Sequence, residues 1–151
     1  MGLTRVVDDA VVADLLDIHV ANGFATDIQE VSLEPTALER VTPPAAFLLP
    51  GGNIGSDDSQ YTQSRGRRTQ RTLLQLIVRG ANPHQQMSDF IDDVGNSVER
   101  PTSHVNAAAV EIEDVVMTEA SPVRTAGDLH NQWGFAVVQI ETTYIYVRGS
   151  L

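Results

Sequence analysis

Cysteine is absent from this sequence, which rules out disulfides, thiolate metal sites and cysteine nucleophiles together. Lysine is absent too: all 10 basic residues are arginine. That removes Schiff-base chemistry, the P-loop lysine and the lysines of nucleases and kinases. A GC-rich gene would encode the same arginine bias. No stretch approaches the roughly 20 apolar residues needed to cross a bilayer. The opening Met1-Gly2-Leu3-Thr4-Arg5-Val6-Val7-Asp8-Asp9 turns acidic before an apolar run develops, unlike a signal peptide. The expectation is a protein that stays in the compartment where it is made.

What remains is ordinary in amount and uneven in charge. The 151 residues fit a single domain, 1–151, large enough to bury a core, and 42% are hydrophobic. The net charge is −10. Residues 59–88 hold Arg65, Arg67, Arg68, Arg71 and Arg79 and no acid, whereas both flanks are strongly acidic. An acidic body repels nucleic acid, whose affinity comes mainly from neutralised phosphates.

Apolar spacing predicts a helix over about Asp8–Ala21, with Val11, Leu15 and Ile18 as its stripe, Asp8 and Asp9 in the first turn, and Gly23 as a left-handed stop. Extended runs follow at 27–33 and at Ala45–Leu49, the latter bracketed by Pro43-Pro44 and Pro50-Gly51-Gly52. Residues 51–67 are polar and hold too few apolar side chains for a core, so a long protruding loop or hairpin arm is expected, continuing to residue 71. A strand over about Thr69–Val78 places Thr72, Leu74, Leu76 and Val78 on one face and Arg71, Leu73, Gln75 and Ile77 on the other. Asn82 as N-cap and Pro83 in the first turn open a second helix, which carries Met87, Phe90, Ile91, Val94 and Val98 and stops at Arg100-Pro101. Strands at 108–118 and 133–147 close the chain, separated by a polar loop at 119–132. The predicted fold class is α+β: a mostly antiparallel sheet packed by two helices, with a long polar hairpin loop.

Candidate chemistry is sparse. His19, His84, His104 and His130 share no ligand spacing. The pairs Asp8-Asp9, Asp57-Asp58 and Asp92-Asp93 and the run Glu111-Ile112-Glu113-Asp114 could be imagined around a hard cation. Their placement, notably Asp92 and Asp93 beside the apolar stripe, favours solvated faces. Gly51-Gly52-Asn53-Ile54-Gly55 follows a strand but leads into no helix N-terminus, so it lacks a phosphate cradle. The expectation is no catalysis, metal or cofactor. The basic run is the interaction feature. Arg65, Arg67, Arg68 and Arg71 suit forked pairing with carboxylates or phosphates. On an otherwise acidic chain the economical partner is an acidic protein surface, including a neighbouring copy; nucleic-acid contact and no specific role are the alternatives.

Element order and several segments resemble the tail terminator (tail completion) proteins of long-tailed bacteriophages. The likeness lies in the opening amphipathic helix, Phe47-Leu48-Leu49-Pro50-Gly51, the polar excursion, Thr72-Leu73-Leu74-Gln75-Leu76-Ile77-Val78, the helix Met87–Val98, and two closing strands ending in Phe135–Tyr144. It spans most of the chain and is one of pattern, without a short invariant motif. It implies a ring, expected to be hexameric, that caps the head-proximal end of the tail tube and meets a head-side connector or stopper protein. Such a protein is assembled in the host cytoplasm, resides in the virion and needs no cofactor, and DNA passes through its lumen without specific binding. The arginine arm would dock on the tube or on the adjacent subunit, so Arg67→Glu with Arg68→Glu would spare the fold and disrupt assembly. The alternatives are another neck or tail-tube protein (stopper, adaptor or tube subunit), or a small metal-dependent enzyme or ligand-binding domain.

Overall fold

The computed structural model describes residues 3–33, 37–49, 65–99, 106–107, 110–128 and 131–147. In chain order the elements are α1 (Leu3–Leu16), β1 (Glu30–Ser32), β2 (Ala45–Leu49), β3 (Arg65–Gly80), α2 (Pro83–Val98), β4 (Asn106–Ala107), β5 (Val110–Ala120), β6 (Arg124–Asp128) and β7 (Asn131–Val147). Short 3-10 turns occupy Val20–Asn22 and Leu38–Arg40. The strands form one sheet in the order β1-β2-β3-β7-β5-β4, with β6 also on β7. Every pairing is antiparallel except β1 with β2. The α+β class, the largely antiparallel sheet and the two helices are as expected. The connection at 50–64, where most of the polar loop was expected, lies outside the described residues.

β3 and β7, of 16 and 17 residues, are the frame. At 3.3 Å per residue each runs roughly 50 Å, whereas a 16-residue helix covers only about 24 Å. Two helices are therefore needed to cover one face, and they divide it lengthwise. α2 lays Met87, Phe90, Val94 and Val98 against Leu74, Leu76, Val78, Ala136, Val138 and Ile140. The carboxyl half of α1 joins the same core through Val11 and Leu15, Ile18 just beyond the helix adds to it, and the Ser97 hydroxyl donates to the Asp14 carbonyl at 2.6 Å to tie the helices together. The amino half of α1 reaches the far end of the sheet, where Val7 packs on Val110 and Tyr144. Among the described residues no helix is long and apolar enough to cross a membrane.

Several local expectations are corrected. α1 begins at Leu3 and ends at Leu16, so Asp8 and Asp9 sit inside the helix rather than in its first turn. Gly23 does adopt the left-handed conformation (φ 93°), but it closes the following 3-10 turn. α2 starts at Pro83 as predicted, although the Asn82 side chain makes no capping bond. Asp93 is not solvated: it is 6% exposed and accepts the Ala25 N–H at 3.3 Å, fastening the turn after α1 to α2. The expected polar loop at 119–132 contains β6, so β5 and β6 form one interrupted strand along β7. Pro122 cannot donate to a ladder. Ser121 bridges the interruption, its N–H donating to the Val137 carbonyl at 2.8 Å and its hydroxyl accepting the Val137 N–H at 2.9 Å.

The arginine run is corrected as well. Residues 65–71 are not part of a protruding arm; they are the first half of β3, paired in register with β7 from Arg65↔Val147 to Arg71↔Glu141. The rest of the predicted arm, 51–64, lies outside the described residues.

Candidate protein-interaction surface

Strand alternation gives β3 and β7 a second face, and among the described residues no helix lies on it. Near β2 it is apolar, with buried Val41, Ala45, Phe47 and Ile77 packed against partly exposed Trp133 and Phe135. The Trp133 and Phe135 rings stack at 6.4 Å, and the Arg79 guanidinium sits 4.6 Å above the Trp133 ring. Further along, half-exposed Leu73 and Val137 open a depression of about 320 Å³, walled by Glu119, Ala120, Ser121 and Gln139.

Beyond that depression the face becomes charged, and here the arginines separate. Arg67 and Glu113 stand on β3 and β5, with β7 between them, roughly 10 Å apart by strand spacing. Their side chains meet above β7: Arg67 Nη2 donates to Glu113 Oε1 at 3.0 Å, and Nε lies 2.8 Å from Oε2, close as an ion pair though poorly aligned as a hydrogen bond. Arg65 reaches Glu111 in the same way at 3.7 Å. Ile145 lies between Arg67 and Glu111 in register and is 4% exposed. The ion pairs thus roof an apolar side chain that no helix covers among the described residues. Arg71 stands opposite Glu141, whose carboxylate accepts from Gln139 Nε2 at 3.4 Å. Arg68 points to the opposite, helix-covered face, its Nη2 3.4 Å from the Tyr146 hydroxyl and its guanidinium 4.9 Å from that ring. The predicted interaction residues are therefore brought onto one strand but not onto one surface.

This pairing revises the expected result of reversing Arg67 and Arg68. Arg67→Glu sets two carboxylates together over Ile145 and is expected to cost about 1 kcal/mol of stability. Adding Glu113→Arg should restore most of it; a double-mutant cycle with no coupling would mean that the pair does not form in solution.

Among the described residues no group of three or more His, Asp or Glu is arranged to hold a metal ion. His19 instead faces Asp27 at 3.6 Å, and His84 is exposed at the start of α2. The Asp93 clasp left no signal in the sequence, whereas the alternation of Leu73, Gln75 and Ile77 with the core positions of β3 did mark out a second face, though not that it would carry no helix among the described residues. No protein-family model matches this chain, and a search of curated proteins found no match.

Proposed function

We propose that this chain is a structural subunit that closes into a ring, expected to be hexameric, and caps the head-proximal end of a bacteriophage tail tube. The observation that carries this reading is the two-sidedness of the sheet. One face of β3 and β7 is buried under α1 and α2; the other holds half-exposed Leu73, Val137, Trp133 and Phe135 beside a band of ion pairs. An apolar centre with a charged border is the composition of a protein–protein contact. The net charge of −10 supports the same reading, because acidic subunits in a ring give an electronegative lumen that DNA crosses without sticking.

In this reading the work is mechanical. The ring ends tube growth and offers its other surface to a head-side connector or stopper protein, without catalysis or cofactor. A tube subunit would share the setting but would add along the tube. The test is to polymerise tail-tube protein with and without this chain and image the products by electron microscopy. Arrested tubes bearing the chain at one end support a terminator. Incorporation along the tube would make it a tube subunit, and unchanged tubes would contradict the proposal.

A further inference from the structure

A cleft of about 350 Å³ opens where the turn after α1 meets the first half of α2 and the segment before β2. Asp27, Gln29, Gln86 and Asp89 line it together with apolar Pro44 and Val78, and no arginine or histidine among the described residues does. Its polar groups are set to accept. Gln29 Nε2 donates to the Asp27 carbonyl at 3.2 Å and Gln86 Nε2 to the Arg79 carbonyl at 3.4 Å, which leaves both amide oxygens as acceptors. Asp27 Oδ1 takes the Val20 N–H at 2.8 Å, with His19 at 3.6 Å on that same side, and Asp89 Oδ1 takes the Gln85 amide at 3.2 Å; none of these contacts uses Oδ2. One helical turn beyond Asp89, Asp93 directs its carboxylate at the cleft's wall. Its Oδ1 accepts the N–H of Ala25, a lining residue, while its Oδ2 is buried with no hydrogen-bond partner. A buried carboxylate oxygen left in this way favours a cation nearby.

A metal ion does not fit, because among the described residues no three carboxylates or imidazoles are arranged to hold one. An extended cation does. A guanidinium carries five donors and no acceptor, which matches a lining of acceptors, and its stem packs on apolar side chains. The chain itself offers such groups, since all 10 of its basic residues are arginine. Among the described ones, Arg5, Arg65 and Arg67 are paired with carboxylates, and Arg68 and Arg79 lie on aromatic rings. Arg71 stands opposite Glu141, and Arg40 leads into the cleft's own Pro43-Pro44 wall. That leaves Arg124, exposed on β6 and in register with Phe135, so that it borders the open face of the sheet. We infer that the cleft beside α2 receives the Arg124 guanidinium of a neighbouring copy, with Asp27 and Asp89 as its carboxylate partners. This pairing rests on the ring reading and supplies what that reading needs. A closed ring joins two different surfaces head to tail, and the open face is only one of them; the acidic cleft on the helical side is the other.

Charge exchange tests the pairing. The wild type, Asp89→Arg, Arg124→Asp and the double variant are compared by light scattering over a concentration series, alone and with tail-tube protein, with electron microscopy of the particles. Asp89 is half-exposed and Arg124 exposed, so all four chains should fold, which circular dichroism checks. Each single reversal sets like charges together and should raise the concentration needed for assembly by about tenfold or more, and the double variant should recover most of that. Should a reversal unfold the chain, Asp89→Asn and Arg124→Gln give the same comparison with a smaller shift. Folded single variants that assemble as the wild type does, or a double variant no better than the singles, would overturn the pairing and leave the ring standing. Particles that follow the charge exchange but are not closed rings would uphold the pairing and contradict the terminator reading. A wild type that is a monomer under every condition would overturn both.

Discussion

Leu76→Asp is expected to abolish the cooperative unfolding transition. Leu76 is fully buried on the inner face of β3, in register with Ala46 of β2 on one side and Ala136 of β7 on the other. Removing a buried leucine side chain costs about 2–5 kcal/mol. A carboxylate in its place has no cation to meet, and an unpaired buried charge adds several kcal/mol more. Together these approach the roughly 5–15 kcal/mol that holds a domain of this size. Urea titration followed by circular dichroism should therefore give a shallow, non-cooperative curve. A wild-type-like transition would mean that this face of β3 is not the core.

Leu73→Asp, on the same strand but the opposite face, should do something different. Leu73 is half-exposed and lines the depression beside Val137 and Gln139. A carboxylate there stays hydrated, so the cost in stability should be no more than about 1 kcal/mol. If the open face is the contact between subunits, the same charge falls at its apolar centre. Losing a central anchor costs about 2 kcal/mol or more per contact, and a subunit in a closed ring makes two such contacts. The expected result is a folded protein that no longer assembles. Normal assembly by Leu73→Asp would move the interface elsewhere, and unfolding would mean that the face is covered.

The contrast between Leu73 and Leu76 was legible in the sequence, because strand alternation needs only the local pattern. α2 and β2 were legible for a similar reason: proline and glycine mark their ends, and the observed Pro83–Val98 and Ala45–Leu49 follow those marks. Where a tertiary partner decides, local reasoning failed. Asp8 looked like a first-turn carboxylate, but it lies inside α1 and bonds Gln70, 62 positions away. β6 was hidden because Pro122 and Gly127 read as loop residues, while the Ser121 hydroxyl that preserves the ladder leaves no local signature. Arg65 and Arg67 looked like free docking groups because their carboxylate partners arrive later in the chain, 46 residues on for Arg67.

The most direct test of the proposed assembly is the mass of the purified chain by light scattering, measured alone and with tail-tube protein, alongside electron microscopy of the particles. The account predicts a closed ring of subunits, either in isolation or formed from monomers at tube ends, and its loss in Leu73→Asp. A wild-type chain that remains a monomer and is indifferent to tubes would contradict it.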